Sequence, residues 1–338
     1  MSPLADRIRE LDLLDPSMID ENNRIIAAPG AFRGVDMARY HSDSLPGPSI
    51  SSTGLRQIRQ RSPAHYWSKS YLNPDREPEG DKPHFNLGQA AHMLFLGEEG
   101  FARSFTLRPD EYPDRKTGEM KPWSSNSNWC KDWLAEAAAS GRRVLTSDQL
   151  RQIRGMSNAL AECPLVTQGG ILNGLIETSL FWQDRETGVW LKARPDVIPV
   201  DGGLISDLKT TADAHPSLLE KTLQGYGYHM QLALAGMGLR ETLDLRLPDT
   251  GGYAFVFIES EAPHAISVVE VDGEAIYWAR RELRAAIRTF ADCLDKGRWP
   301  AYGDDVRVVG LPDYHRKRLQ FEADAGQLPE DYSREEAA

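Results

Sequence analysis

Cysteine is scarce in this chain of 338 residues. Cys130, Cys163 and Cys293 stand far apart with no CxxC pair, so they form neither a disulfide framework nor a four-thiolate zinc or iron–sulfur site. Each reads as a small buried hydrophobe. Long apolar runs are also missing: none approaches the roughly 20 residues that span a bilayer. Met1 to Glu10 is charged and has no apolar segment of secretory type, so the expectation is a cytosolic protein with no membrane partner. Basic charge is not in excess either, with 39 Lys and Arg against 50 Asp and Glu for a net charge of −11. That argues against a protein that coats DNA with its whole surface, because phosphate contacts come from Lys and Arg. It leaves room for a focused basic track, and a metal-dependent phosphodiesterase must itself contain carboxylates.

What is present is ordinary globular material, 41% hydrophobic and 26% charged. Residues 1–48 read as an irregular arm punctuated by Pro29, Gly30, Gly34, Pro46, Gly47 and Pro48. Ser51-Ser52 offers an N-cap for a helix with Leu55 and Ile58 on one face, interrupted at Ser62-Pro63. A second helix is expected from Asn86 to Phe101 and two more over 128–140 and 147–162, with a Pro/Gly-broken loop over 108–127. Then the pattern changes. Leu175–Trp182, Val189–Val200 and Gly203–Thr211 are β-rich and separated by turn signals. A helix over 216–239, strands over 253–259 and 265–271, and a helix over 273–296 follow. The expected organisation is one domain over 49–298, helical over 49–165 and α/β over 166–298, with a polar tail at 299–338.

The chemistry concentrates in Leu191-Lys192-Ala193-Arg194-Pro195-Asp196 and Ile205-Ser206-Asp207-Leu208-Lys209. Two strands joined by the tight turn Asp201-Gly202-Gly203 bring Asp196 and Asp207 side by side. Carboxylates aimed at one spot repel unless a cation sits between them. Mg²⁺ suits such a pair, being hard and oxygen-seeking. Period-two alternation puts Asp207 and Lys209 on one face of the strand and turns Leu208 into the core. Lys209 then reaches a metal-bound water and the charge building on a phosphorane. The (D/E)xK pattern alone is weak, since Asp114-Arg115-Lys116 and Glu119-Met120-Lys121 also match it. Only Asp207-Leu208-Lys209 has a strand and an upstream Pro-Asp.

This pair of segments resembles the core of the exonuclease VIII (RecE-type) group of phage and prophage exodeoxyribonucleases, in the PD-(D/E)xK superfamily. Other segments agree in order: Met37-Ala38-Arg39-Tyr40-His41, Ile50-Ser51-Ser52-Thr53-Gly54-Leu55, Ser62-Pro63-Ala64-His65-Tyr66, Leu87-Gly88-Gln89-Ala90-Ala91-His92, Glu177-Thr178-Ser179-Leu180-Phe181-Trp182 and Gly227-Tyr228-His229-Met230-Gln231. The resemblance implies a restriction-endonuclease-like mixed α/β core with a helical N-terminal extension. It implies that His92, Asp196, Asp207 and the Leu208 carbonyl bind Mg²⁺, with Mn²⁺ also admitted by the imidazole. Lys209 is then the catalytic lysine, Glu177 an accessory carboxylate and Gln231 the glutamine of a QxxxY helix. One departure stands out: the tyrosine four residues after Gln231 is Ala235, with Tyr226 and Tyr228 at hand to substitute. The implied activity is 5′→3′ digestion of one strand from duplex DNA ends, leaving 3′ overhangs for recombination. A ring-shaped homo-tetramer and a single-strand annealing (RecT-type) partner in a bacterial host cytosol follow from the same resemblance.

Arg56, Arg59, Arg61, His65 and Lys69, interleaved with Tyr66, Trp67 and Tyr71, form a basic run that reads either as a solvated helix face or as a track for the DNA end. Three rivals remain on sequence grounds. An iron–sulfur nuclease of the CRISPR-adaptation type needs more cysteine, and a hydrolase of small phosphodiesters would ignore duplex length. A non-catalytic DNA-end scaffold is disfavoured by the intact Asp–Asp–Lys set.

Overall fold

The computed structural model describes residues 9–10, 28–35, 37–77, 83–97, 101–114, 117–200, 203–248, 251–303 and 305–329. Much of the expected arm, Arg115-Lys116, the turn residues Asp201-Gly202 and the end of the tail lie outside these residues. Residues 1–301 make one unit and residues 302–338 another.

The first unit opens with β1 (Arg9–Glu10), β2 (Gly30–Arg33), α1 (Met37–His41), β3 (Ser49–Ser51), α2 (Ser52–Gln60) and α3 (Pro63–Trp67). The break between α2 and α3 falls at Ser62-Pro63: the Ser62 side chain caps α3 by accepting from the His65 amide, and Pro63 fills the first turn. A helical stretch follows with α4 (Pro83–Phe95), α5 (Phe101–Ser104), β4 (Phe105–Leu107), β5 (Glu111–Pro113), β6 (Met120–Pro122), α6 (Asn128–Ala139), β7 (Arg143–Leu145), α7 (Ser147–Glu162) and α8 (Pro164–Thr167). The expected loop at 108–127 therefore carries a hairpin, β5 paired antiparallel with β6. Its prolines sit at strand ends, where a missing amide costs no ladder bond. Helix α7 begins on a reciprocal capping box between Thr146 and Gln149.

The α/β part comprises β8 (Leu175–Ile176), β9 (Ser179–Gln183), β10 (Trp190–Ala193), β11 (Val197–Ile198), β12 (Ile205–Thr211), α9 (Pro216–Tyr226), α10 (Tyr228–Leu243), β13 (Tyr253–Glu259), β14 (Ile266–Glu270) and α11 (Gly273–Lys296). Two of the expected strands are each divided. Leu175–Trp182 breaks after Ile176, and Val189–Val200 breaks between Ala193 and Val197. The pieces join different sheets: β9 and β10 lie in the sheet β1-β2-β9-β10-β3, while β8 and β11 lie in β14-β13-β12-β11-β8. The expected helix at 216–239 is likewise two helices, parted at Gly227.

Both sheets are mixed, with β12 and β13 parallel and β11 and β12 antiparallel. The main core unites Leu180, Trp182 and Leu191 of one sheet with Phe255 and Phe257 of the other, through α10, α11 and α2. Each such fully buried large side chain contributes about 1.5–3 kcal/mol. The far face of the second sheet presents Leu208, Val256 and Ile258 to Ala90 and Ala91 of α4 and to Ile153 and Met156 of α7. This mixed α/β fold with helices on the sheet faces is the PD-(D/E)xK type of core. Among the described residues, no helix is long and apolar enough to cross a membrane. The described part of the second unit carries one helix, α12 (Asp313–Asp324), with no buried residue.

Candidate metal and catalytic site

The site forms at the corner where the two sheets part company. Strand β11 pairs with β12 only at Val197↔Ser206, because Pro195 and Asp196 turn the chain away. Past that point the free edge of β12 needs other partners. The Leu208 amide donates to Asp196 Oδ2 at 2.7 Å, and His92 Nε2 lies 2.6 Å from the Leu208 carbonyl oxygen. His92 reaches that carbonyl because α4 packs tightly on β12: a Cβ at Gly88 would already stand 3.3 Å from Thr210 Oγ1, and Ala91 is fully buried. The small residues of Leu87-Gly88-Gln89-Ala90-Ala91-His92 thus set the helix–strand distance.

Asp196 is 6% exposed and Asp207 is wholly buried. Asp207 Oδ1 accepts from Gln231 Nε2 of α10 at 2.7 Å. Its other oxygen faces the Lys209 ammonium as an ion pair, yet no donor makes a regular hydrogen bond to it. Burial first, and then the neighbouring Asp207, push the Asp196 carboxyl up to about 6. Burial alone would lower the Lys209 pKa, but Asp207 and Asp196 outweigh it and hold it above the ordinary lysine value. The Lys209 Nζ also lies 5.2 Å from the centre of the Tyr228 ring.

The opposite wall of the corner is Glu177. Its backbone adopts φ 49°, uncommon outside glycine, and its amide donates to the Asp196 carbonyl at 3.0 Å. Arg194 Nε holds Glu177 Oε2 at 2.5 Å, while its Nη1 donates to the Val35 carbonyl at 2.8 Å. His92, Glu177 and Asp196 each offer one ligand atom, all within 4.8 Å of one another. His92 Nδ1 stands 3.5 Å from Asp196 Oδ2. The donor set, hard oxygens with one imidazole, suits a divalent cation of the Mg²⁺ or Mn²⁺ kind. Two buried carboxylates converging on one corner with a single ammonium between them, and the raised pKa of Asp196, are what a site shows when a further cation is favoured.

All six residues expected at the centre, His92, Glu177, Asp196, Asp207, Lys209 and Gln231, come together here, with the Leu208 carbonyl. Glu177, expected as an accessory carboxylate near the metal, sits with His92 and Asp196. Arg194 carried no role from sequence; its place in the Arg194-Pro195-Asp196 turn was the one signal available. Ala235 is buried in the main core, and Tyr228 supplies the ring beside Lys209 instead. In the basic run, Arg59 Nε is paired with Glu282 Oε1 at 3.2 Å, and Arg61 is exposed at the end of α2. Tyr66 corrects the expectation of an aromatic contact with DNA. It is 7% exposed and packs edge-on against Phe290, with ring centres 5.5 Å apart.

Fold and site together define a domain of the PD-(D/E)xK superfamily. No curated protein matches the chain. The chain belongs to the family of PDDEXK-like domains of unknown function, DUF3799, whose model matches residues 51–311. Among solved structures, a candidate exonuclease from Eubacterium rectale is similar at 13% identity and a TM-score of 0.51, over 81% of this chain and 91% of that one. A phage-related exonuclease from Haemophilus somnus 129PT aligns at 14% identity over 62% of this chain and 95% of that one, with a TM-score of 0.27.

Proposed function

We propose that this protein is a divalent-metal-dependent deoxyribonuclease that digests linear duplex DNA from its ends. The observation that carries the reading is the pair of buried carboxylates, Asp196 before β11 and Asp207 on β12, beside Lys209 of β12. His92, Asp196, Asp207 and the Leu208 carbonyl would hold the ion, with Glu177 adjoining. When bound, Mg²⁺ or Mn²⁺ supplies Lewis acidity toward the phosphate and lowers the pKa of water.

The rest of the chemistry belongs to the chain. Lys209 donates to a non-bridging phosphate oxygen and orients the attacking water, offsetting charge that grows in the transition state. Gln231 fixes the rotamer of Asp207 by donating to Oδ1. Arg194 holds Glu177 against the corner, so that this carboxylate keeps its direction. The resemblance to RecE-type exonucleases extends this reading to 5′→3′ polarity with 3′ overhangs, a homo-tetrameric ring and an annealing partner. A ring with an acidic exterior and basic lumen would reconcile the net charge of −11 with DNA binding.

The test compares wild type with Asp207→Ala on a linear duplex labelled at its 5′ or 3′ end, with Mg²⁺ or EDTA, beside a closed circle. Metal-dependent loss from the 5′ end, absent on the circle and abolished by the substitution, is expected. A linear duplex that is bound but never shortened would overturn the assignment in favour of a scaffold.

A further inference from the structure

Residues two apart in a helix point to different sides, so Tyr226 and Tyr228 in one continuous helix could not stack. Here they do. Gly227 takes φ 64° and ψ 31° between α9 and α10, and the two rings lie nearly parallel, 18° apart in plane with centres separated by 5.2 Å. The junction is built for this. A Cβ at residue 227 would be strained by the positive φ, and would meet Gln60 Nε2 at 2.8 Å and the Arg56 side chain at 3.0 Å. Those two side chains pin the junction to α2: Arg56 Nη1 donates to the Tyr226 carbonyl at 2.8 Å and Gln60 Nε2 to the Gln224 carbonyl at 3.0 Å.

The two rings have different duties. Tyr228 is the inner one, packed on Phe255 at 5.4 Å and 5.2 Å from the Lys209 ammonium. The Arg56 guanidinium lies 5.8 Å from the same ring; among the described residues its bonds run to the Ser52 and Tyr226 carbonyls and the Thr53 hydroxyl, none to a carboxylate. Tyr226 is the outer ring, 63% exposed. A glycine break and two side-chain anchors on the backbone set an exposed aromatic against the ring that faces the lysine of the site. Ordinary surface packing does not require such an arrangement.

Resting on the nuclease reading above, we propose that Tyr226 is a stacking platform for an unpaired nucleobase of the DNA end, beside the scissile phosphate. Arg56 supplies the phosphate contact that accompanies it. Every base has a π-face, so the platform selects single-stranded or frayed ends over sealed duplex without selecting sequence.

The test uses full-length protein and linear duplexes carrying 2-aminopurine at the terminal or the tenth base pair. Ca²⁺ replaces Mg²⁺ for binding, and Mg²⁺ is used for turnover. Wild type is expected to quench the terminal probe and not the internal one. Tyr226→Ala is expected to lose that quench and to raise KM about five- to tenfold, while Tyr226→Trp restores both. A Tyr226→Ala protein that quenches and turns over like wild type overturns the platform alone. A wild-type protein that neither binds nor shortens the duplex with any divalent ion overturns the nuclease reading, and the platform with it.

Discussion

The chain carries the (D/E)xK pattern in two well-described places, Glu119-Met120-Lys121 and Asp207-Leu208-Lys209, and the two have opposite fates. The first lies on the β5–β6 hairpin, where Met120 is 57% exposed and Lys121 pairs across the turn with Asp114. That hydrogen bond raises the Lys121 pKa, and nothing further is asked of it, because water screens the pair. The second lies on a strand paired with β13 along its length, with Asp207 wholly buried and Leu208 locked into the core. There the acid, held by Gln231 and paired with Lys209, faces a second acid, Asp196. The same three-residue pattern is a surface ion pair in one setting and a candidate catalytic centre in the other. What separates them is the neighbouring strand, not the motif.

The sharpest way to break this contrast is substitution in both copies. Asp207→Asn or Lys209→Ala should reduce turnover by roughly 10³-fold or more, whereas Lys121→Ala should leave it unchanged, in the same end-labelled assay. Equal losses would erase the distinction. A smaller effect is expected at the corner. Arg194→Met frees Glu177 and should weaken Mn²⁺ affinity by roughly 10- to 100-fold, read by calorimetric titration. Next comes helix placement. Gly88→Leu pushes α4 off Thr210 and should destabilise the fold by about 1–3 kcal/mol, measured by urea unfolding, with a matching loss of metal binding through His92.

A third carboxylate sharpens the contrast further. Asp184, 5% exposed, resembles Asp196 in burial. Burial alone would raise its pKa, but Arg284 Nη1 at 2.8 Å from both its oxygens and the Thr187 amide and hydroxyl outweigh that and hold it below the ordinary value. A carboxylate with a depressed folded pKa contributes stability above its unfolded pKa and loses it as pH falls through the folded value. Asp184→Asn should therefore cost about 1–2 kcal/mol near neutrality, and the gap from wild type should close below about pH 4. Thermal unfolding across that range checks it; a gap independent of pH would contradict it.

The elements themselves were largely legible. The interruption at Ser62-Pro63 and the helix over 147–162 stand where the sequence put them, and the alternation through Asp207 and Lys209 faces them as expected. The corner was not legible, because Leu175–Trp182 and Val189–Val200 each read as one β-rich run while the chain changes sheets inside both. Only the positive φ of Glu177 and the turn at Pro195 reveal it, and neither follows from hydrophobic period. The divided helix at Gly227 was hidden for a related reason: a lone glycine in a helical pattern reads as tolerated until its φ is known. Tyr66 misled because its basic neighbours suggested a surface, whereas its own ring fills the space left by Gly54.

In the proposed function, Asp196 and Asp207 together bind a divalent cation. The direct measurement is thermal unfolding of wild type, Asp196→Asn and Asp207→Asn with increasing Mg²⁺ or Mn²⁺. The account expects saturable stabilisation of wild type and little or none in either variant. Wild type that is indifferent to both ions, or variants that respond as strongly as wild type, would contradict it.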